Sequence, residues 1–132
     1  MCGIAGYVGK KKLNIAKIKS TLKLMRNRGP DFSNYFYTKI NNKHYYLLHS
    51  RLSIIDINKR SAQPYKFKNY IIIFNGEIYN YIEIKKKFFK NIKLDTTSDT
   101  EILIRLYDKF GSNCLKYLEG MWSFAILNLA NG

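Results

Sequence analysis

The sequence predicts an α+β domain built around mainly antiparallel sheet structure. Apolar, β-branched and aromatic runs alternate with amphipathic helical segments in the order β, α, several β, α, β. The chain has 132 residues, of which 46% are hydrophobic and 15% aromatic, enough for one compact core. No internal repeat or low-complexity linker divides it. We therefore expect a single domain over residues 1–132.

The first part of the chain is predicted to form a strand, a helix and a hairpin. The apolar run Gly3–Gly9 is typical of a strand. Residues 35–40 and 45–55 are rich in aromatic and β-branched residues around the turn signal Asn41-Asn42, which predicts a hairpin. Between them, apolar residues at helical spacing predict an amphipathic helix: Ile15, Ile18, Leu22 and Met25.

The second part is predicted to hold a buried strand, helices and a final strand. The apolar run 70–74 stops at Asn75-Gly76, which predicts a strand ending in a tight turn. A short helix is predicted over 81–89. Ser98 and Glu101 have capping-box spacing before a helix that Gly111 closes. A shorter helix then leads to "MWSFAILNL", which is typical of a strand.

The charge and cysteine content limit the classes of function. The net charge is +14, from 23 Lys+Arg against 9 Asp+Glu, which raises nucleic-acid binding as a hypothesis. We interpret these charges as solvated lysines, because they are dispersed and few are arginines. Two distant cysteines indicate neither a disulfide framework nor a metal cluster. With no signal-peptide pattern or membrane-length apolar run, we expect a cytoplasmic protein without a membrane partner.

Five short motifs in order carry a family resemblance over essentially the whole chain: "MCGIAGYVG", "RGPD", "HSRLSIID", "FNGEIYNY" and "TTSDTEIL". They resemble the glutaminase domain of class II glutamine amidotransferases, and most of all its asparagine synthetase branch. The resemblance implies the N-terminal nucleophile hydrolase fold, an αββα sandwich of two mainly antiparallel sheets between helices. It also implies further strands after "GMWSFAILN", so we expect a domain that is incomplete at its C-terminus.

Cys2 is the candidate nucleophile. Once Met1 is removed, this residue would supply both a thiol and an α-amine, whose pKa in peptides is about 7.7–8.0. The amine would take the thiol proton directly or through a water. The attack on the glutamine carboxamide creates an oxyanion, which needs hydrogen-bond donors already in place. By resemblance, the Asn75 side-chain amide and the Gly76 backbone N–H provide them.

The resemblance also assigns residues that recognise free glutamine. Arg51 matches the family arginine that pairs with the α-carboxylate, for which a planar guanidinium is well shaped. Asp99 and Glu77 match residues that hold the α-ammonium. The segment "RGPD" matches a loop that closes over the substrate: Arg28, Gly29, Pro30 and Asp31.

The partners and cofactors follow from the same resemblance. Glutamine is the expected substrate, and a synthetase domain or chain is the expected recipient of ammonia, with ATP and magnesium belonging to that absent domain. The glutaminase reaction itself needs no metal or cofactor. A homodimer is compatible with the sequence.

Other interpretations stay open at this stage. Taken singly, Asn75-Gly76 is more often a hairpin turn, Asp99 a helix-start residue, and Arg51 a surface ion-pair residue. His49 is interpreted as a structural, hydrogen-bonded histidine and Cys114 as a core residue. Besides a glutaminase, the chain is compatible with a non-catalytic remnant that serves as a binding or regulatory module. A basic nucleic-acid-binding protein is the third hypothesis.

Overall fold

The computed structural model describes residues 2–132, which contain six strands, three α-helices and two short 3₁₀ helices. The predicted removal of Met1 lies outside the described residues. The strands are β1 (Gly3–Gly9), β2 (Phe32–Ile40), β3 (Lys43–Arg51), β4 (Tyr65–Phe67), β5 (Tyr70–Ile78) and β6 (Gly120–Asn128). The helices are α1 (Ile15–Met25), α2 (Tyr81–Phe88) and α3 (Asp99–Phe110), with 3₁₀ helices at Lys59–Ser61 and Gly111–Tyr117.

The strands form two antiparallel sheets that are stacked between helices. The first sheet has the order β1-β3-β2 and the second β4-β5-β6. Helix α1 packs on the first sheet through Ile18 and Leu48, whereas α2 and α3 pack on the second. A separate apolar layer between the sheets includes Leu47, Ile71 and Ile73. The αββα sandwich and the α+β class are thus confirmed.

Side-chain alternation along the strands decides which residues enter the layer between the sheets. In β3, Tyr46 and Leu48 pack under α1, whereas Leu47 packs against the second sheet. Because successive strand residues point to opposite faces, His49 and Arg51 lie on the same face as Leu47. This register directs the polar end of β3 toward the second sheet.

The hairpin prediction is confirmed at its turn and wrong at its far end. Asn41 and Asn42 have φ values of 47° and 60°, as a two-residue turn between twisted strands requires. The second strand ends at Arg51 and not at residue 55. The neighbouring strands β1 and β2 offer no pairing partners beyond this point, because Gly3 pairs with Ser50 and Phe32 with Arg51. The residues that follow are free to form a loop.

The predicted turn at Asn75-Gly76 is wrong. β5 continues to Ile78 and remains paired with β6, with Gly76 opposite Trp122. Glycine is needed because the strands approach closely: a Cβ at position 76 would collide with the backbone of Met121 and Trp122. The sequence reading also missed β4, a strand of three residues that forms a tight hairpin with β5.

The start and end of α3 follow the sequence signals. Ser98 is the N-cap, and its Oγ accepts from the Glu101 N–H at 3.4 Å. The Glu101 carboxylate accepts from the N–H groups of Asp95 and Thr96, at 3.1 and 2.6 Å, and so caps the preceding loop. Gly111, with φ 57°, ends the helix as predicted. Among residues 2–132, the helices are too short or too polar to cross a membrane.

Candidate active site

A cavity of about 150 Å³ brings five of the predicted site residues together: Cys2, Arg51, Gly76, Glu77 and Asp99. They come from the chain start, the end of β3, the end of β5 and the first turn of α3. The cavity is smaller than the pockets of about 300–1,000 Å³ that hold drug-sized ligands. Its size and its mixture of charged and apolar walls suit a small polar molecule.

The Cys2 thiol is held at the end of β3. It is partly buried, and its Sγ accepts from the Leu52 N–H at 3.4 Å and lies 3.7 Å from the Leu52 carbonyl oxygen. The Arg28 Nε donates to the Cys2 carbonyl oxygen at 3.4 Å. These contacts orient Cys2 toward the cavity.

Arg51 is buried and bonded mainly to backbone carbonyls. Its guanidinium donates to the carbonyl oxygens of Asn58, at 3.0 Å, and of Asp56, and to Ser61 Oγ at 2.7 Å. Only 6% of the residue is exposed. All these acceptors are neutral, and within residues 2–132 no carboxylate forms an ion pair with Arg51. The guanidinium therefore gives its wall of the cavity a positive charge.

The carboxyl groups of Asp99 and Glu77 line another part of the cavity wall and can give it a negative charge. Asp99 is buried, and its Oδ2 accepts from the Ile78 N–H at 3.1 Å. Burial raises the pKa of Asp99, hydrogen bonds from the Ile78 and Thr100 backbone lower it in part, and the nearby charge of Glu77 raises it again. A ligand cation between Asp99 and Glu77 would relieve both the burial cost and the repulsion.

One edge of β5 presents backbone donors to the cavity. The Phe74 N–H donates to Gln63 Oε1 at 2.6 Å, and the Ile78 N–H donates to Asp99. Because N–H directions alternate along an antiparallel strand, the Gly76 N–H points to the same edge. Gly76 lines the cavity between these two satisfied positions. Its N–H is therefore directed to where a ligand oxygen could be bound.

Asn75 lies beside the cavity but is not one of its lining residues. Strand alternation places its side chain on the face of β5 that carries Ile71 and Ile73. Its Oδ1 is buried and receives no hydrogen bond from residues 2–132. The predicted role of its amide as an oxyanion donor stays a prediction.

His49 is hydrogen-bonded in the core, as the sequence reading expected. It is fully buried, and its Nε2 lies 3.3 Å from the Phe74 carbonyl oxygen, which joins the two sheets. Burial lowers the pKa of His49 to about 4, a hydrogen bond to Phe74 opposes this shift, and the Arg51 charge adds to it. Cys114 is also fully buried and free, which confirms its place in the core.

The predicted loop Arg28, Gly29, Pro30 and Asp31 borders the site without lining the cavity. Gly29 is buried where a Cβ would collide with the backbone of Ser50 and Arg51, so only glycine fits. The Asp31 N–H donates to the Arg51 carbonyl oxygen at 3.0 Å, and its Oδ2 accepts from the Ser53 N–H at 2.7 Å. Closure of this loop over a ligand stays a prediction.

Sequence reasoning missed the residues that brace the site. Gln63 joins β5 to α3 by accepting from the Phe74 N–H and donating to Thr100 Oγ1 at 3.3 Å. The Ser61 Oγ accepts a hydrogen bond from the Arg51 guanidinium. Such long-range side-chain contacts leave no local signal in the sequence.

Comparison with known proteins identifies the class to which this fold and site correspond. The glutamine amidotransferase domain family matches residues 1–132, and the chain belongs to that family. Among individual proteins, it is 36% identical to the glutamine-hydrolysing asparagine synthetase of Brassica oleracea, over 97% of this chain and 22% of the relative. It is 38% identical to asparagine synthetase 1 of Bacillus subtilis, over 97% and 21%, and 35% identical to asparagine synthetase B of Escherichia coli, over 96% and 23%.

These similarities concern only one part of each relative. The chain spans 21–28% of the length of the curated relatives it matches. It is therefore a glutamine amidotransferase domain similar to one region of the asparagine synthetases.

Proposed function

We propose that this domain hydrolyses glutamine to glutamate and ammonia, with Cys2 as the nucleophile. The observation that supports the proposal is the convergence of a thiol, a positive group and two carboxylates on one small cavity. Free glutamine carries a carboxamide, an α-carboxylate and an α-ammonium, which match these three kinds of group. Residues 1–132 would act as a single domain.

The two charged ends of the substrate would be bound by groups of opposite charge. Arg51 would pair with the α-carboxylate through N–H groups that its loop contacts leave free. Asp99 and Glu77 would hold the α-ammonium. Glutamine within a polypeptide lacks both charges, so this arrangement selects the free amino acid.

Hydrolysis would proceed through a thioester. The Cys2 α-amine takes the thiol proton, and the sulfur attacks the carboxamide carbon to form a tetrahedral oxyanion. The Gly76 N–H and the Asn75 amide would donate hydrogen bonds to that oxygen; loss of one such donor typically costs about 10²–10³ in rate. The carbon–nitrogen bond then breaks as the leaving group takes up the proton and departs as ammonia. Water hydrolyses the thioester to glutamate and restores the thiol.

The ammonia would pass to a synthetase domain or chain that makes asparagine from aspartate and ATP. The relatives' names support this recipient. ATP and magnesium would serve that second reaction, and the hydrolysis of glutamine would use only side chains and backbone of this domain. A cytoplasmic setting and a homodimer are part of the same proposal.

The test is covalent labelling of the purified chain with a diazoketone analogue of glutamine, followed by intact-mass measurement. We expect loss of Met1 and a single adduct that excess glutamine prevents. Cys2→Ala should abolish the adduct, whereas the matched control Cys114→Ala should keep it, because Cys114 is fully buried away from the cavity. Glutamate release is measured in parallel.

Three results would overturn the proposal. Retention of Met1, or no glutamine-protected adduct, would favour the non-catalytic binding or regulatory module. Binding to single-stranded nucleic acid that weakens steeply with salt and does not depend on glutamine would favour a basic nucleic-acid-binding protein.

A further inference from the structure

The loop after β3 is organised around Asp56. The Asp56 carbonyl oxygen accepts from the Arg51 guanidinium and from Ser61 Oγ. Its Oδ1 accepts from the Asn58 N–H at 3.3 Å and from Asn58 Nδ2 at 3.2 Å. The Asn58 carbonyl oxygen, in turn, accepts from Arg51. Asp56 therefore helps to position the two backbone carbonyl oxygens, its own and that of Asn58, that accept from the Arg51 guanidinium.

The other carboxylate oxygen of Asp56 reaches the segment before α3. Its Oδ2 accepts from the Thr97 N–H at 2.8 Å and from Arg60 Nε at 3.2 Å. Thr97 directly precedes the N-cap Ser98 and the cavity residue Asp99. One carboxylate thus joins the segment that holds Arg51 to the segment that carries Asp99.

Three features indicate that this arrangement is well defined. The Asp56 side chain is 0% exposed, although its ion-pair partner Arg60 is 52% exposed. Its backbone has φ 45°, a conformation that aspartate tolerates better than most residues. Burial alone raises the pKa of Asp56, but hydrogen bonds from Thr97 and Asn58 lower it to about 2 overall. The carboxylate is therefore ionised throughout the neutral range.

We propose that Asp56 is a positioning residue that couples the two ends of the substrate cavity, setting Arg51 and Asp99 at the separation that a free amino acid requires. The proposal rests on the proposed glutaminase function. Asp56 is not among the cavity-lining residues, so it acts through the two segments that it joins. Without the Asp56 carboxylate, the substrate would have to order Arg51 and Asp99 when it binds. The entropy cost of this ordering weakens binding.

The test compares Asp56→Asn with the matched control Asp108→Asn. Asp108 is a carboxylate on α3 that pairs with Lys68 at 2.6 Å, and it does not line the cavity. In the Asp56 variant, we expect KM for glutamine to rise about tenfold or more and kcat to change less than about threefold. The reason is that the lost charge-assisted hydrogen bonds position groups that bind the substrate. The control should keep both constants. An unchanged KM, or an equal loss in kcat, would overturn the proposal.

Amide hydrogen exchange supplies a readout that does not depend on activity. Exchange should accelerate in both segments, 52–61 and 95–98, in Asp56→Asn and in neither for the control; acceleration in only one segment, or in none, would overturn the coupling. If the parent chain releases no glutamate, the proposed function fails and hydrogen exchange alone decides the role of Asp56.

If Asp56→Asn does not fold, Asn58→Ala takes its place in both measurements. This variant removes the Asn58 side-chain donor to Asp56 Oδ1, and we expect KM to rise about threefold.

Discussion

The Asp99 carboxylate accepts a hydrogen bond from the Ile78 backbone N–H at 3.1 Å. This contact joins the first turn of α3 to the strand that carries Gly76, so the proposed ammonium site and the proposed oxyanion donor share one rigid support. Ile78 and Asp99 are both buried, which protects the bond from water.

The substitution Asp99→Asn tests the ammonium site. Asparagine can still accept from Ile78, so the fold should persist, but the charge that would pair with the substrate ammonium is lost. Since hydrogen bonds to charged groups contribute about 1.5–3 kcal/mol, KM for glutamine should rise by about 10- to 100-fold. Kinetics of glutamate release measure this effect. A KM within about twofold of the parent, with thermal stability preserved, would contradict it.

The pH dependence of binding provides a second prediction. The pKa of Asp99 is raised mainly by its burial, so this carboxyl takes up a proton at a higher pH than an exposed aspartate. The substrate ammonium favours the ionised form, and binding should therefore release a proton. KM should rise as the pH falls through the range in which this carboxyl takes up its proton, and it should do so less steeply in Asp99→Asn. A KM that does not change with pH in the parent chain would contradict this assignment.

The elements with regular apolar spacing were predictable, because periodicity is a local property. α1 and α3 lie where the spacing and the Ser98 cap predicted them. Asn75-Gly76 misled the sequence reading, since a glycine needed for close strand approach looks the same as a glycine needed for a turn. The short strand β4 offered too few residues for a pattern.

The candidate site was predictable only where motifs carried it. Cys2, Arg51 and Asp99 come from distant parts of the sequence, and the family resemblance, not periodicity, predicted that they act together. The contacts of Gln63 and Asp56 join residues more than ten positions apart, and no local rule relates such positions. Folding alone brings them together.

Gly76→Ala tests whether close strand approach requires glycine. The added Cβ would meet the backbone of Met121 and Trp122, so β5 and β6 must separate, at a cost of about 1–3 kcal/mol or more. Gly111→Ala is the matched control: its φ is also positive, but the added Cβ has open space around it. The control should lose only the cost of placing alanine at φ 57° and ψ −141°, about 1–3 kcal/mol, and Gly76→Ala, which adds the collision to its own positive φ, should lose more. Urea unfolding compares the two variants. Equal losses would contradict the steric explanation.

His49 should make the stability of the fold depend on pH. Burial lowers its pKa from 6.5 to about 4 in the folded chain, so between these values the unfolded chain binds the extra proton. The free energy of unfolding should therefore fall as the pH drops from about 6.5 to about 4, with no further loss from this group below that range.

The variant His49→Gln isolates this contribution. The glutamine amide can replace Nε2 as the donor to the Phe74 carbonyl oxygen but cannot take up a proton in this range. Urea unfolding at several pH values should show a flatter profile than for the parent chain. His44→Gln is the control, because His44 lies on the same strand, is only partly buried and is bonded to Tyr37 at its outer end. If the His49 variant keeps the slope of the parent chain, the buried, neutral state of His49 is wrong.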